Sequence, residues 1–388
     1  MRICLYTETA LPKTGGQELV VDALARQFAE LGHEPVVIAQ QPRRPFVPKD
    51  NELPYEVVRQ PRFISTRHFV GWYRYWFARQ HRRAPFDIVH CHSVHPCGYV
   101  AALCRDPNDR RMIDAPLVIT SHGGDVREDN PRFAKPGLRR RHELAVARAD
   151  ALISISQFTT DGFRRLGAET SKIVPIPNGV DLPKFRRRAP RPAELSAAVH
   201  PKGYALFLGR LNRRKGVDVL LAAQARLAPS QRLPLVIAGD GEERAALEAA
   251  AQSLGIASST SFVGRVAGDA KTYLLQNARA AVMPSRDWEA FPLVVLEAFA
   301  AGAAVVGTRI PGLADLIDHG TTGLVCDAES PESLAAALRH VADRPDHMRA
   351  CGEAAADRAS HYDWRSIAGR HLDLFQRLRG VRTLERAA

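Results

Sequence analysis

"MRICLYTETALPKTGGQELVVDALARQFAELGHEPVVIAQ" spans residues 1–40 and has the pattern of a β-loop-α-β unit. The run "MRICLYTE" is typical of a buried strand, and "EPVVIAQ" is typical of the next one. Between them, the turn "TGGQ" leads into "ELVVDALARQFAELGH", whose apolar residues recur at helical spacing. A buried strand joined through a helix to a second buried strand predicts a parallel sheet.

The same alternation continues to about residue 181 and then starts again. Further strands are predicted in "FDIVHCHS", "APLVITSHGGD", "ADALISIS" and "KIVPIPNGVD". The Pro- and Arg-rich segment that follows has no apolar periodicity, and we interpret it as a linker. After it come the predicted strands "YALFLGR", "PLVIAGDG", "TSFVGRV", "ARAAVMPSR" and "AAVVGTR". The fold class is therefore α/β, with two Rossmann-like, doubly wound parallel sheets.

These patterns give a domain plan. Residues 1–182 form the first Rossmann-like domain, 183–197 the linker, 198–365 the second Rossmann-like domain, and 366–388 a closing helix. In open parallel sheets, ligands bind beyond the carboxyl ends of the strands. Two such domains facing each other would form a cleft, and the polar residues at their strand ends are the candidate site.

Composition and charge narrow the classes of partner. The 388 residues carry a formal net charge of +12, which favours nucleotide phosphates, an anionic membrane surface or nucleic acid without choosing among them. We expect no secretory signal, and the sequence has no apolar run of about 18 residues that would predict a spanning helix. The six cysteines form no paired motif, so we expect reduced thiols and a cytoplasmic location.

The stretch "LGRLNRRKGVDVLLAA" joins a predicted strand to a predicted helix. Arg210 leaves the strand, and Lys215 and Gly216 open the helix. Guanidinium and ammonium groups bind phosphate oxygens, and a helix N-terminus adds backbone donors. An ordinary solvated basic loop is the alternative, but this placement favours a phosphate site.

The stretch "SRDWEAFPLVVLEAFAAG" (residues 285–302) contains two carboxylates, Glu289 and Glu297, in an otherwise apolar run. Burying a carboxylate is costly unless something binds it. If 293–301 is helical, Pro292 lies near the first turn, and a spacing of seven residues puts both carboxylates on one side. A helix-starting Glu289 with an exposed Glu297 is the alternative, which the apolar neighbours of Glu297 disfavour.

Taken in order along the chain, "TSHGGD", "IPNGVD", "GR-xxxx-KG" and "PSRDWEAFPLVVLEAFAAG" resemble the GT4 family (glycosyltransferase group 1) of retaining glycosyltransferases, which have the GT-B fold. The resemblance runs from "GGQE" near residue 15 to "TTGLVC" near 321 and the closing "YDW". It implies that the closing helix packs back on the N-terminal domain, which would bind the acceptor, while the C-terminal domain would bind the donor.

The resemblance also implies roles for the residues of the second domain. Glu289 would bind hydroxyls of the transferred sugar, and Glu297 would bind the ribose hydroxyls of the nucleotide. Arg210 and Lys215 would bind the diphosphate and stabilise it as the leaving group. Arg265, in "FVGRV", would lie near the nucleotide base.

Three backbone amides complete the donor site that the resemblance implies, those of Phe291, Leu293 and Val294. Many members of the family have glycine where Pro292 stands, and proline has no N–H. A donor contact from that position is therefore impossible in this chain.

In the first domain, the resemblance assigns Gly16 to the donor and Gly15 to the acceptor side, because glycines in the first βα turn let the backbone approach a ligand closely. His122 in "TSHGGD" would lie at the donor sugar, close to the reaction centre. Asp125 would orient His122 or meet the acceptor, and His92 would lie on the acceptor side. The expected catalytic residues are therefore Glu289, His122, Arg210 and Lys215.

The stretch "HCHSVHPC" (residues 90–97) has metal-ligating residue types but no standard zinc spacing. The family has a similar strand end without metal, and no Asp-x-Asp occurs in the chain. We therefore predict no metal and no cofactor, with cationic side chains and helix ends neutralising the diphosphate.

Between residues 59 and 86 the chain has seven arginines, two histidines and no acidic residue, interleaved with aromatic residues. This composition suits an anionic membrane interface. A partly buried helix with core aromatics and solvated arginines is the alternative. Because relatives act on lipid-linked acceptors, we favour peripheral contact at the inner face of the plasma membrane.

The resemblance implies a hexosyltransferase that uses a nucleotide-sugar donor, with a UDP-sugar as first expectation and GDP-mannose as second. The acceptor would be a glycolipid or oligosaccharide of polysaccharide or lipopolysaccharide biosynthesis, and no nucleic-acid partner is expected. A nucleotide-sugar epimerase of the same fold is an alternative, which would need an acid/base carboxylate set. A non-catalytic basic protein that binds membrane or nucleic acid is another, and salt-sensitive nucleic-acid binding would support it.

Overall fold

The chain forms two compact units, Met1–Asn178 with Trp364–Ala388, and Gly179–Asp363. The structure is a computed structural model that describes residues 1–42, 47–61, 69–105, 112–193, 195, 199 and 203–387. The first of the two compact units is called unit 1 and the second is called unit 2.

Unit 1 contains a seven-stranded parallel sheet in the order β3-β2-β1-β4-β5-β6-β7. Its strands are β1 (Arg2–Tyr6), β2 (Glu34–Gln40), β3 (Glu56–Gln60), β4 (Ile88–Cys91), β5 (Leu117–Thr120), β6 (Ala151–Ser154) and β7 (Ile173–Pro175). The helices of its first 178 residues are α1 (Gly16–Glu30), α2 (Phe69–Arg83), α3 (Tyr99–Leu103), α4 (Leu138–Arg148) and α5 (Gln157–Arg165). The central strands are buried on both faces, as is usual for a parallel sheet covered by helices.

Unit 2 contains a six-stranded parallel sheet in the order β10-β9-β8-β11-β12-β13. Its strands are β8 (Tyr204–Leu208), β9 (Leu235–Ala238), β10 (Thr260–Gly264), β11 (Ala278–Met283), β12 (Ala304–Thr308) and β13 (Gly323–Cys326). Its helices are α6 (Leu182–Arg186), α7 (Val217–Arg226), α8 (Arg244–Ser253), α9 (Gly268–Asn277), α10 (Leu293–Ala300), α11 (Pro331–Asp343) and α12 (Pro345–Ala359).

Both sheets have the doubly wound Rossmann-like strand order, which confirms the predicted fold class. The order reverses direction between β1 and β4 in unit 1 and between β8 and β11 in unit 2. Ligands bind at such switch points, because the loops leaving the two strands diverge there. Two strands had not been assigned from sequence: β3 with its charged residues, and the short β13.

Gly179 and the residues after it belong to unit 2, whereas the domain plan from sequence begins the linker at residue 183. The backbone N–H of Val180 donates to the carbonyl of Tyr362 at 2.7 Å, so the two ends of unit 2 pair with each other. The amide of Gln276 on α9 donates to the carbonyls of Phe185 and Arg187 at 2.8 and 2.9 Å. The described residues near the start of the proposed linker therefore lie against unit 2.

The closing helix, α13 (Trp364–Ala387), belongs to unit 1. The ring of Phe375 is buried and packs edge-on against Phe28 of α1, with the ring centroids 5.9 Å apart. Further along α13, Arg379 forms an ion pair with Asp87 at 2.8 Å. The last strand of unit 1 is thus followed, after the whole of unit 2, by a helix that completes the unit 1 core.

Helix α2 lies in the aromatic-basic stretch of residues 59–86, and it has both buried aromatic side chains and exposed residues. Phe77 is fully buried and stacks on Tyr6 of β1, with the centroids 4.8 Å apart, so part of the stretch is core. Tyr75, by contrast, is 44% exposed, and Arg79 lies over the ring of Trp76 at 5.3 Å. Residues 62–68, which include Phe63, lie outside the described part of the chain.

All six cysteines are buried and none is in a disulfide, as predicted. Burial raises the pKa of the Cys4 and Cys91 thiols, so both remain protonated and weakly reactive near neutral pH. No helix in the described ranges has the length and apolar character needed to cross a membrane.

Replacing Phe375 by alanine should lower the free energy of unfolding of unit 1 by about 3–5 kcal/mol, because a fully buried ring leaves a cavity between α13 and α1. Urea denaturation followed by circular dichroism would measure the change. The exposed neighbour Gln376, replaced by alanine, serves as the control, with an expected change below about 0.5 kcal/mol. Equal effects of the two substitutions would contradict the packing of α13 on unit 1.

Candidate functional site

The loop after β8 carries the first predicted group of residues in unit 2. Arg210 is exposed two residues beyond the strand. The side chain of Asn212 accepts a hydrogen bond from the backbone N–H of Lys215 at 3.3 Å and so closes a short turn. The next residue, Gly216, has φ +63°, and a Cβ there would lie 2.0 Å from the carbonyl oxygen of Pro284. Only glycine fits this left-handed, crowded position.

Lys215 and Glu289 meet at the switch point of the unit 2 sheet. Lys215 lies in the loop after β8, and Glu289 lies in the loop after β11. The distance from Lys215 Nζ to Glu289 Oε1 is 2.6 Å. The hydroxyl of Ser285 donates to the same carboxylate oxygen at 2.8 Å, and Arg214 Nη1 lies 3.4 Å from it. The side chain of Glu289 is only 9% exposed, so these donors replace the water that it loses.

The pKa of Glu289 is lowered from its ordinary value. Burial acts to raise this pKa, but the positive charges of Lys215 and Arg214 and the hydrogen bonds from Lys215 and Ser285 outweigh it. The carboxylate is therefore ionised at neutral pH and can accept hydrogen bonds from hydroxyl groups.

Arg214 has a second role in this loop pair. Its Nη1 donates to the carbonyl of Trp288 at 2.6 Å, and its guanidinium lies 4.8 Å from the centre of the indole ring. These contacts hold the residue immediately before Glu289, so the position of the carboxylate depends on the backbone as well as on its ion pair.

Glu297 lies on α10, which begins at Leu293 after Pro292 as predicted from sequence. Its side chain is 13% exposed, so it is not the solvated carboxylate of the alternative reading. Lys271 of α9 places Nζ 2.5 Å from its carboxylate oxygens. Glu289 and Glu297 thus each have a separate lysine.

The N-terminus of α10 presents backbone donors. Phe291 is buried, while Leu293 and Val294 are half-buried. No side chain among the described residues caps this helix, and the first N–H groups of any helix have no acceptor within it. These amides are therefore suited to bind an anion. Arg265, the remaining predicted residue of unit 2, is exposed just after β10.

In unit 1, Gly15 ends the loop between β1 and α1, and Gly16 is the first residue of the helix. A Cβ on Gly15 would lie 2.5 Å from Oε2 of the buried Glu18. Glu18 also accepts a hydrogen bond from Thr9 at 2.5 Å and pairs with Lys13 at 2.9 Å. Gly15 therefore leaves room for the carboxylate that holds the loop closed.

His92 and His122 follow β4 and β5 and stack with their ring centroids 5.4 Å apart. The distance from His92 Nδ1 to His122 Nε2 is 3.2 Å. His92 is fully buried, whereas His122 is partly exposed. The acceptor-side role of His92 stays a prediction; its side chain is buried and contacts His122.

Asp125 fixes the loop that carries His122. One carboxylate oxygen accepts from the hydroxyl of Ser121, and the other accepts from the backbone N–H of Val94, each at 2.5 Å. Its hydrogen bonds therefore tie the β5 loop to the β4 loop, and its influence on His122 is electrostatic. Burial lowers the pKa of His122 to about 4, although Asp125 and Glu18 act in the opposite direction, so the imidazole is neutral at pH 7.

The histidines of "HCHSVHPC" do not form a metal centre in the structure. Across the described ranges, no group of three or more His, Cys, Asp or Glu side chains could hold a metal ion. His90 instead pairs with the hydroxyl of Thr120 at 2.7 Å, and burial lowers its pKa well below the usual value.

Sequence reasoning missed several residues of the site. Ser285, Arg214, Lys271 and Glu18 all contact or neutralise a predicted residue. Ser285, Arg214 and Glu18 lie inside sequence motifs of the candidate site. A motif, however, does not show which side chains contact each other in the folded chain. Lys271 lies in the ordinary amphipathic pattern of α9, and no local signal connects it to Glu297, 26 residues away.

Two family models match the chain: "Glycosyltransferase Family 4" over residues 14–184 and "Glycosyl transferases group 1" over residues 195–358. A D-inositol 3-phosphate glycosyltransferase of Corynebacterium jeikeium is 31% identical, over 76% of this chain and 73% of that protein. A glycogen synthase of Mycobacterium tuberculosis is 33% identical, and the match covers 73% of this chain and 66% of the synthase.

Among solved structures, Anabaena HepE in complex with UDP superposes with a TM-score of 0.81 at 19% identity. The match covers 97% of this chain and all of the HepE chain. At that identity, the likeness shows that the two proteins share a fold.

Replacing Glu289 by glutamine should lower the free energy of unfolding by about 1–3 kcal/mol at pH 7, the usual range for a lost hydrogen bond to a charged group. Because the folded-state pKa is lowered, the carboxylate stabilises the fold above its ordinary pKa of 4.5, and this stabilisation disappears as the pH falls through the folded value. Urea denaturation at pH 7, 5 and 3.5 should therefore show a shrinking difference from wild type.

The surface pair of Arg244 and Glu248 provides the control for this experiment. Glu248→Gln should change the free energy of unfolding by less than about 0.5 kcal/mol at each pH. A Glu289→Gln difference that stayed constant or grew at low pH would contradict the ion pair with Lys215.

Proposed function

The chain belongs to the group 1 glycosyl transferases, family GT4, and has their GT-B fold, and on that premise we propose that it uses a nucleotide-sugar donor and retains the anomeric configuration. The observation that carries the proposal is the Lys215–Glu289 pair at the switch point of the unit 2 sheet. It combines a cation for a phosphate with an ionised carboxylate for sugar hydroxyls.

Lys215 and Arg210 would bind the diphosphate. An ammonium group has three donors, so Lys215 can keep Glu289 and still bind a phosphate oxygen. As the bond to the sugar breaks, negative charge accumulates on the departing phosphate, and fixed cations stabilise it there without having to reorganise. The amides of Leu293 and Val294 at the start of α10 would add donors for the same anion.

Glu289 would accept hydrogen bonds from hydroxyls of the transferred sugar. Lys215, Ser285 and Arg214 already occupy one side of its carboxylate, which holds the group in place and keeps it ionised. Such a carboxylate is better suited to orient a sugar than to attack it. We therefore propose that the departing phosphate assists the incoming hydroxyl on the same face of the sugar, so that no protein nucleophile is needed.

Glu297 would bind the ribose hydroxyls. Its partner Lys271 compensates the charge in a mostly apolar helix, and the carboxylate retains acceptor capacity for two hydroxyl donors. Arg265, exposed after β10, would lie beside the base. His122, neutral at pH 7, would donate to or accept from a hydroxyl of the donor sugar.

A UDP-sugar is the first candidate donor and GDP-mannose the second. The UDP complex of HepE supports the first choice, and the names of the relatives support an acceptor that bears hydroxyl groups. We propose a glycolipid or an oligosaccharide precursor of a surface polysaccharide as the acceptor, in the cytoplasm, with no metal or cofactor required. The contacts of the Lys215–Glu289 pair support transfer better than epimerisation, because its carboxylate is held ionised rather than poised for proton transfer.

Replacing Glu289 by alanine should slow transfer by about 100-fold, as expected for the loss of charge-assisted hydrogen bonds worth about 3 kcal/mol. Binding of the free nucleoside diphosphate should change less than about threefold, because Lys215 remains. A thermal-shift panel of UDP, GDP, ADP and their common sugars, without metal, first identifies the donor. Release of nucleotide from that donor with oligosaccharide and lipid-linked acceptors then measures transfer.

The exposed carboxylate of Glu332, which pairs with Arg226 at the surface, provides the matched control, and Glu332→Ala should leave both quantities unchanged. Equal loss of nucleotide binding and transfer in Glu289→Ala would contradict the sugar role. Absence of any nucleotide-induced shift in the folded wild type would overturn the proposed function.

We further propose that α2 contacts an anionic membrane surface from the cytoplasmic side. Trp72, Tyr75 and Trp76 form one aromatic cluster, with ring centroids 5.9–6.5 Å apart. Exposed arginines at positions 79, 82 and 83 follow it on the same helix. Amphipathic aromatic rings beside basic side chains suit the headgroup region of a bilayer.

Reversing the charge of Arg79, Arg82 and Arg83 to glutamate should weaken binding to phosphatidylglycerol vesicles by at least about 100-fold, since each basic residue near such a surface contributes about 1 kcal/mol. Vesicle co-sedimentation at low and high salt would measure the loss. The matched control reverses Arg339, Arg344 and Arg349, which are exposed in unit 2. Equal losses in both triple variants, or no binding by wild type, would contradict membrane contact through α2.

A further inference from the structure

Arg286 connects the two loops that carry Lys215 and Glu289. It lies three residues beyond β11. Its backbone N–H donates to the carbonyl of Arg214 at 3.0 Å, and its Nε donates to the carbonyl of Arg213 at 2.9 Å. Both carbonyls belong to the short turn that ends at Lys215. The same residue stands three positions before Glu289 in the chain.

The other two guanidinium nitrogens of Arg286 bind carboxylates. Nη1 donates to Oε2 of Glu329 at 2.9 Å, and Nη2 donates to Oδ2 of Asp218. Asp218 lies in the first turn of α7, and Glu329 lies in the loop between β13 and α11. One side chain, only 16% exposed, therefore joins the carboxyl ends of β8, β11 and β13.

Glu329 has a strained backbone. Its φ of +54° is in the left-handed region, and it is the one residue other than glycine with a positive φ in the described part of the chain. A glutamate rarely adopts this conformation unless its surroundings determine it, and such residues cluster at functional sites. The ion pair with Arg286 is the contact that occupies its carboxylate.

The geometry of the contacts requires a guanidinium. Nε, Nη1 and Nη2 each address a different partner, on three separate segments. A lysine ammonium is a point donor on a flexible stem and cannot serve three divergent partners at fixed positions. Asp218 and Glu329 also neutralise the charge of Arg286, so this arginine does not itself supply the cation for a phosphate.

We propose that Arg286 is a positioning residue that fixes the turn of residues 213–215, so that the Lys215 ammonium meets the terminal phosphate of the nucleoside diphosphate. This inference rests on the proposed function, because it assigns Arg286 to the same diphosphate site. It goes beyond that function in naming the side chain that determines where Lys215 lies. Without the Arg286 side chain, the turn of residues 213–215 loses the hydrogen bond to the Arg213 carbonyl and its connection to Asp218 and Glu329.

A double-mutant cycle on the full chain tests the inference. Calorimetric titration gives the dissociation constants of UDP and UMP, and of the guanosine and adenosine pairs, for wild type, Lys215→Ala, Arg286→Ala and the double variant. The ratio of monophosphate to diphosphate dissociation constants isolates the contribution of the terminal phosphate. A purely structural defect would weaken both ligands equally and leave the ratio unchanged.

Lys215→Ala should lower this ratio about tenfold, and Arg286→Ala should lower it threefold to tenfold. The double variant should match Lys215→Ala, because residues that act as a unit are not additive. Arg349→Ala removes the same charge from an exposed pair on α12 and should leave the ratio unchanged. Arg286→Lys retains the charge without the fork, and should give an intermediate ratio with a native circular dichroism spectrum even if the alanine variant does not fold.

The outcomes separate the inference from the proposed function. If Lys215→Ala leaves the ratio unchanged, the phosphate site itself is wrong and the inference fails with it. If Lys215→Ala lowers the ratio but both Arg286 variants keep it, only the role of Arg286 is overturned. Additive losses in the double variant would also overturn it, because they would show that Arg286 acts independently of Lys215.

Discussion

A nearly buried carboxylate needs a cation, and in unit 2 the cation comes from the other side of the sheet's switch point. Glu289 follows β11, and Lys215 follows β8, 74 residues earlier. These strands are neighbours because the sheet order reverses there. The ion pair therefore depends on the topology of the sheet, because it forms only if β8 and β11 are neighbours in register. The loops of the candidate donor site are arranged around this pair. The αL turn at Gly216 and the contacts of Arg214 and Arg286 all serve to hold this pair.

Unit 1 also has polar side chains at the carboxyl ends of its central strands, but they are of a different chemical kind. At the ends of β4 and β5 it has a buried imidazole, His92, and a partly exposed one, His122, rather than a charged pair, and desolvation lowers the pKa of both so that they stay neutral. A neutral imidazole costs less to bury than an ion and can still donate or accept one hydrogen bond. The two units thus differ in their chemistry: unit 2 holds a charged pair at its switch point, and unit 1 holds neutral imidazoles at the ends of β4 and β5.

Much of the fold was predictable because its signals are local. Buried strands, amphipathic helices and glycine turns each have a short-range pattern, and the two sheets follow from their alternation. The strands β3 and β13 were not assigned; β3 carries the charged residues Glu56 and Arg59 within only five residues, which weakens its apolar pattern. The limits of unit 2 also escaped sequence reasoning. The Arg- and Pro-rich residues after 182 have no apolar period, yet the ring of Phe185 is buried and the amide of Gln276 on α9 donates to the Phe185 carbonyl.

By itself, the sequence determined the α/β class, the two sheets, the start of α10 at Leu293, and the motifs that carry the candidate donor residues. These properties depend on residues close together in the chain, where spacing reports structure directly. Only the tertiary structure decided that Lys215 pairs with Glu289, that Lys271 pairs with Glu297, and that His92 is buried against His122, whereas the packing of the closing helix on unit 1 was already implied by the family resemblance. Each of these contacts joins residues 26 or more positions apart. Side-chain partners at that range are set by strand order and helix packing, which no local spacing encodes.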